Sequence, residues 1–189
     1  MTENTLNRRR LVVSGTAAMA ALGLMTKAGS ATAIQSGSGI AGGGSVEANG
    51  GPAEFSVFGA HFQLESGEAP LFAGSLSYLD VTGKMTIAST SITAFGAVEG
   101  AEATTRQVSG IATVNGEGAY PFDLVVSDGG AIGTGLDVFQ LAVGADGATE
   151  VTEATYEIQS NVQSGNLQLI DFVFDSADVS GDASPTPAG

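Results

Sequence analysis

Cysteine and tryptophan are both absent from this 189-residue sequence, and histidine occurs once, at position 61. Without cysteine there is no disulfide, no thiolate metal site and no cysteine nucleophile, so a small exported fold must rely on its core. With a single histidine, any Ser-His-Asp triad or imidazole metal site has only His61 to use. No Gly-x-Ser-x-Gly elbow raises a nucleophilic serine. Only Tyr78, Tyr120 and Tyr156 are available as large polar aromatic rings, so nothing in the sequence supports a sugar-binding platform. Cations are scarce as well: six Lys and Arg stand against twenty Asp and Glu, a net charge of −14.

Four of those six cations, Arg8, Arg9, Arg10 and Lys27, lie in the first 33 residues. There, Asn7-Arg8-Arg9-Arg10-Leu11-Val12 sets paired arginines ahead of two apolar residues and a run from Leu11 to Met25 diluted by Ser14, Gly15, Thr16 and Gly23. This is the pattern read by twin-arginine export receptors, and Ala31-Thr32-Ala33 supplies a small-x-small cleavage site. The reading assigns Arg8, Arg9, Leu11 and Val12 to the export motif and Ala31 and Ala33 to cleavage. The expected partners during export are the twin-arginine translocase and a signal peptidase. The general secretory route is the alternative, because three arginines also make an ordinary positive n-region. The apolar run falls short of the roughly 20 residues that cross a bilayer. The expectation is a cleaved, secreted or cell-envelope protein with no membrane contact after processing.

Removal of residues 1–33 leaves Lys84 and Arg106 against nineteen carboxylates, a formal charge of −17. A polyanion of this kind repels phosphate backbones and anionic lipid, so nucleic acid is excluded as a partner. Such charge suits solubility in high salt, and a halophile's scaffold or storage protein is one further reading.

Along the mature chain, residues 34–51 are rich in Gly and Ser and read as a flexible leader with a first short strand near Ser45 to Ala48. Gly37-x-Gly39-x-x-Gly42 matches a dinucleotide fingerprint only formally, since no strand pattern precedes it. Residues 52–175 read as one all-β domain. Apolar residues at Phe58, Ala60, Phe62 and Leu64 alternate with Gly59, His61 and Gln63, while Phe55 and Val57 sit in the opposite phase. A β-bulge near Gly59 is the expected cause, and the alternation sets His61 at a surface or edge position. Further short runs follow at 76–79, 85–87, 91–95, 108–114, 120–126, 138–143, 156–159 and 167–174. Gly, Asn and Asp clusters, among them Asp80–Gly83, Asn115-Gly116, Asp146-Gly147 and Ser164-Gly165-Asn166, supply turns between them. The predicted fold is an antiparallel β-sandwich or barrel of about 8–10 short strands. Pro121 marks an edge or bulge, and residues 176–189 read as a disordered acidic, proline-bearing tail.

Two sets of carboxylates bear on chemistry. Asp128 and Asp137 frame a glycine-rich loop whose carbonyls can turn toward a hard cation, which makes them the candidate calcium ligands. The loop lacks the alternating Asp spacing of an EF-hand, and an Asp-Gly turn that caps its own backbone explains the same residues. Asp171, Asp175, Asp178 and Asp182 gather near the C terminus, where solubilising charge is the simpler account than a glycosidase pair. No other cofactor is indicated.

The order of features resembles the post-COAP domain, a family of bacterial secreted or cell-surface modules. The residues that carry the resemblance are Ala41–Ser45, Phe55–Ala60, Gly74–Tyr78, Ser89–Thr93, Val108–Gly116, Val126–Gly130, Asp137–Leu141 and Ser164–Leu169. The chain departs from the pattern in lacking a histidine after Tyr78 and in the acidity of Glu54 to Glu68. The resemblance implies an all-β extracellular module without established catalysis and supplies no site residues. The expectation is therefore a non-catalytic structural or binding module, with a calcium-dependent binding or hydrolytic domain as the alternative.

Overall fold

The computed structural model describes residues 10–11, 34–64, 67–130 and 136–173. Arg8, Arg9, Val12, the Ala31/Ala33 cleavage site, the 176–189 tail and the middle of the Asp128–Asp137 loop lie outside them. The elements are β1 (Arg10–Leu11), β2 (Ile34–Ala48), β3 (Gly51–Leu64), β4 (Leu71–Asp80), β5 (Met85–Ala97), β6 (Thr105–Val114), β7 (Glu117–Ser127), β8 (Val138–Val143) and β9 (Tyr156–Val173). From β2 onward each strand pairs antiparallel with the next, and β9 returns to pair with β2. The result is a closed, eight-stranded, up-and-down barrel, so the barrel alternative holds rather than the sandwich. Closure removes most of the edge that open sheets leave exposed.

Turn chemistry sets one end of this barrel. Asn49 and Gly50, both with positive φ (49° and 77°), join the paired residues Ala48 and Gly51 in a two-residue hairpin. Asn115 and Gly116 repeat the device (54° and 83°). Such turns need φ > 0 at both central positions, which Asn and Gly tolerate best. At this end the lumen is filled. Phe55 and Phe139 meet at 4.4 Å, and Tyr78 stacks on Phe139 at 5.9 Å. Val46, Leu124, Leu141 and Leu167 are also fully buried. Each such side chain contributes about 2 kcal/mol through burial. The outer face at the same levels carries Glu47, Glu54, Ser56, Ser77, Thr86 and Glu157, all exposed.

Four local expectations change. The Gly/Ser stretch is no leader: Ile34–Ala48 is a full stave of 15 residues, paired on both sides. Its glycines reflect closeness to neighbours rather than freedom. The runs at 85–87 and 91–95 are one strand, β5, with register shifts between Ser89/Ser91 and Ile92/Ala94. Ser164-Gly165-Asn166 is not a turn but lies inside β9. That strand pairs with β8 through Asn161, shifts register, and pairs with β2 from Val162 onward. Gly165 (φ 98°) sits close to the switch.

The fourth correction concerns Gly59. The β2–β3 and β3–β4 registers run unbroken past it, so β3 has no bulge there. The phase of burial changes because the outer face of β3 is buried at its far end. Ala53, Phe55 and Val57 face the lumen; Ala60, Phe62 and Leu64 face outward, with relative exposures of 0, 2 and 7 %. His61 and Gln63 consequently point inward. Pro121 matches its expected role, since the β6–β7 register shifts between Ala112 and Val114, beside Pro121's partner Ile111.

Candidate functional site

At the end of the barrel opposite the Asn49-Gly50 turn, cross-strand register places four residues in one row on the lumen face. Phe72 of β4 lies opposite His61 of β3, His61 opposite Ser38 of β2, and Ser38 opposite Asp171 of β9. Ser38 Oγ is 3.2 Å from His61 Nδ1. The imidazole lies over the Phe95 ring at 5.9 Å, with 29° between the planes. Phe95 belongs to β5, across the lumen from β3, so the walls approach each other here. Gly59 makes this possible: a Cβ there would come within 2.8 Å of Val108 Cγ2 and 3.2 Å of Phe95 Cδ2. His61 is therefore a half-buried rim residue, not a residue on the outer surface. Arg106 shares the lumen phase of β6, and its Nη1 donates to the Ala103 and Thr105 carbonyls at 2.8 and 2.7 Å.

A hydroxyl beside an imidazole is half of a nucleophilic pair, and sequence reading missed it because Ser38 and His61 are brought together only by strand register. The remaining half is differently arranged. In a triad the histidine stands between the nucleophile and the orienting carboxylate. In this row the order is Asp171–Ser38–His61, with serine in the middle. β2 is paired on both sides around Ser38, so its amides belong to the two ladders rather than to an oxyanion hole. Asp171 is joined to this row, whereas Asp175, Asp178 and Asp182 lie outside the described residues.

Asp128 and Asp137 come together at a seam. β8 pairs with β9 only as far as Val138 and Asn161. Beyond that point β9 still has amides to satisfy on the β8 side, and the two carboxylates supply acceptors. Asp137, nearly fully buried, accepts from Leu167 N at 2.7 Å and Gly129 N at 2.8 Å. Asp128 accepts from Leu169 N at 3.2 Å and, as an Asx turn, from Gly130 N at 3.1 Å. Val162 N bonds to the Asp137 carbonyl at 2.9 Å. Both carboxylates thus act as ladder partners that carry the seam past the end of β8. No group of three or more His, Asp or Glu poised for a metal occurs among the described residues. Asp137→Ala is expected to cost about 3 kcal/mol, because two amides lose a charged acceptor and one is buried. Hydrogen exchange at Leu167 should then accelerate far more than at Leu141. Equal protection of the two amides would refute the seam role.

At the filled end lies a buried polar network that sequence reading did not anticipate. Asp80, with no exposed surface, accepts from Gly83 N at 2.7 Å, Asn49 Nδ2 at 2.5 Å and Tyr156 Oη at 3.1 Å. Tyr156 Oη is also 2.7 Å from Tyr78 Oη. Burial works against the Asp80 charge, but the bonds from Gly83, Asn49, Tyr156 and the Thr82 amide outweigh it and hold the carboxyl below its ordinary range. Burial raises the Tyr156 phenol far above its usual value, assisted by Tyr78 and Asp80. Tyr78 is raised as well, chiefly by burial. These groups tie β4, β9 and the β2–β3 turn together. Comparison with family models, curated proteins and solved structures found no match.

Proposed function

We propose that the mature chain is a non-catalytic, exported β-barrel module, delivered by the twin-arginine route to the cell envelope or exterior, where it acts through its surface as a structural or binding element. The observation that carries this reading is the filled lumen. Phe55, Tyr78, Phe122 and Phe139 occupy the interior, and the buried acid there is spent on internal bonds. A small-molecule cup of the kind larger barrels enclose has no room at those levels. The outer face supports action in water, because its polar residues reverse the apolar-out, polar-in pattern of membrane barrels. Its resemblance to post-COAP modules points the same way.

The experiment is a hydrolysis panel of glycosides, esters and peptides with purified protein beginning at Ile34. No turnover above background is expected, and Ser38→Ala and His61→Ala should change stability only. Turnover of any member that disappears in both variants would overturn the non-catalytic reading and make Ser38 and His61 a working pair.

A further inference from the structure

Among the described residues, the outer face of the barrel carries an apolar patch at the rim end of β9, β2, β3 and β4. Its first row is Phe172, Gly37, Phe62 and Leu71, neighbours by register across four strands. Phe62 and Phe172 meet at 5.2 Å over Gly37, where a Cβ would come within 2.7 Å of the Phe62 ring. Ala60, Gly39 and Ile170 form the next row, and Leu64 pairs with Ile34 beside it. Elsewhere the outward positions are mainly polar, among them Glu47, Glu54, Ser56, Ser77, Thr86 and Glu157, with apolar residues such as Leu79 between them. Here Ala60, Phe62 and Leu64 face outward yet are almost wholly buried, so something lies over them.

We propose that the covering element is the chain's own N-terminal apolar segment, Leu11 to Met25, docked on this patch in the precursor. Both ends of residues 12–33 are anchored beside the patch. Leu11 pairs in parallel with Phe172, and Ile34 pairs with Leu64. The row from Phe172 to Leu71 spans three strand spacings, about 14 Å. A run of fifteen residues spans about 22 Å even if fully helical, so the length suffices. Chemistry matches as well: the run is apolar, and Arg8, Arg9, Arg10 and Lys27 flank it against residues 34–173, whose formal charge is −14. The tail beyond Ser176 also starts nearby, but it is acidic and proline-bearing and suits neither the apolar rows nor the charge. The docking stands on this geometry alone. Its consequence, that cleavage after Ala33 uncovers an apolar contact surface on the mature protein, rests on the export reading above.

The cysteine-free chain allows a clean test. In the full-length protein, Ala18→Cys is combined either with Leu71→Cys, at the patch, or with Val81→Cys, in the turn just past the opposite end of the same strand. Oxidative cross-linking is expected for the Leu71 pair and not for the Val81 pair. Equal yields for both, or none for either, would overturn the proposal. In parallel, anilinonaphthalene sulfonate fluorescence is compared among the full chain, a chain starting at Ile34 and a chain ending at Val173, with native circular dichroism required of each. A several-fold rise in emission is expected only for the chain starting at Ile34, reversed by Phe172→Ser. If that chain instead dimerises in sedimentation while staying dark, the uncovered patch has been filled by a second copy, which also supports the proposal. A rise confined to the chain ending at Val173 would assign the cover to the tail and overturn it. Because both chains are made without export, failure of the signal reading leaves this result unaffected.

Discussion

Gly44→Ala is expected to destabilise the barrel by about 3 kcal/mol, or to prevent closure, although it adds one methyl group to a small residue. β2 is the stave that closes the barrel, and it is paired along its length with β3 on one side and β9 on the other. A Cβ at Gly44 would overlap the Ser164 carbonyl oxygen, and one at Gly42 would overlap that of Asn166. Each obstacle is backbone of the neighbouring strand, so no rotamer change relieves it and the ladder must open. Gly96 on β5 is the control, since a Cβ there meets nothing within 4 Å. Gly96→Ala should lie within about 0.5 kcal/mol of the parent. Urea unfolding followed by circular dichroism separates the two variants. If Gly44→Ala unfolds at the same midpoint as Gly96→Ala, β2 and β9 do not approach as described.

The same residues show what could be read from sequence. Alternation of period two marked most strands and the class of fold, because a half-buried strand shows its two faces in its side chains. Glycine shows neither face, and β2 has five, Gly37, Gly39, Gly42, Gly43 and Gly44; its first eleven residues therefore looked like a linker. Asn49-Gly50 was the strongest hairpin signal in the chain and was passed over for the same reason, since the segment before it did not read as a strand. Ser164-Gly165-Asn166 carried turn residues that the fold uses to let β9 change partners. The reversed phase at Ala60, Phe62 and Leu64 was visible, but its cause was not. A buried outer face and a bulge give the same one-dimensional pattern, and only the unbroken register distinguishes them. Of the candidate site residues, Asp128 and Asp137 were singled out as calcium ligands or turn caps, and the structure shows both carboxylates accepting from backbone amides at the β8–β9 seam. Their partners, the Leu167 and Leu169 amides, lie some thirty to forty residues away and left no local trace. The Ser38–His61 contact is hidden in the same way, by 23 residues of separation that register alone bridges.

Asp80 provides the sharpest link between this architecture and a measurable property. Asp80→Ala is expected to cost about 4 kcal/mol, because it strands Asn49, the Tyr156 hydroxyl and the Gly83 amide together, each worth about 1–3 kcal/mol when left unsatisfied in a buried site. For a domain of this size that corresponds to a fall in Tm of about 10 °C. The charge adds a pH signature that a purely steric role would not have. Hydrogen bonds to the carboxylate hold its folded-state pKa below the unfolded value of about 4. Folding therefore favours the ionised form, and the resulting stabilisation is fully present above that unfolded value. It is lost as pH falls through the lower folded value. The other carboxylates contribute their own acid dependence, so the informative quantity is the difference between parent and variant. Asp80→Asn keeps the shape but cannot ionise, and its stability deficit should be largest near neutral pH and shrink progressively below about pH 4. A deficit that stays constant from pH 7 to pH 2 would show that the Asp80 charge contributes nothing, and that packing alone holds the filled end of the barrel.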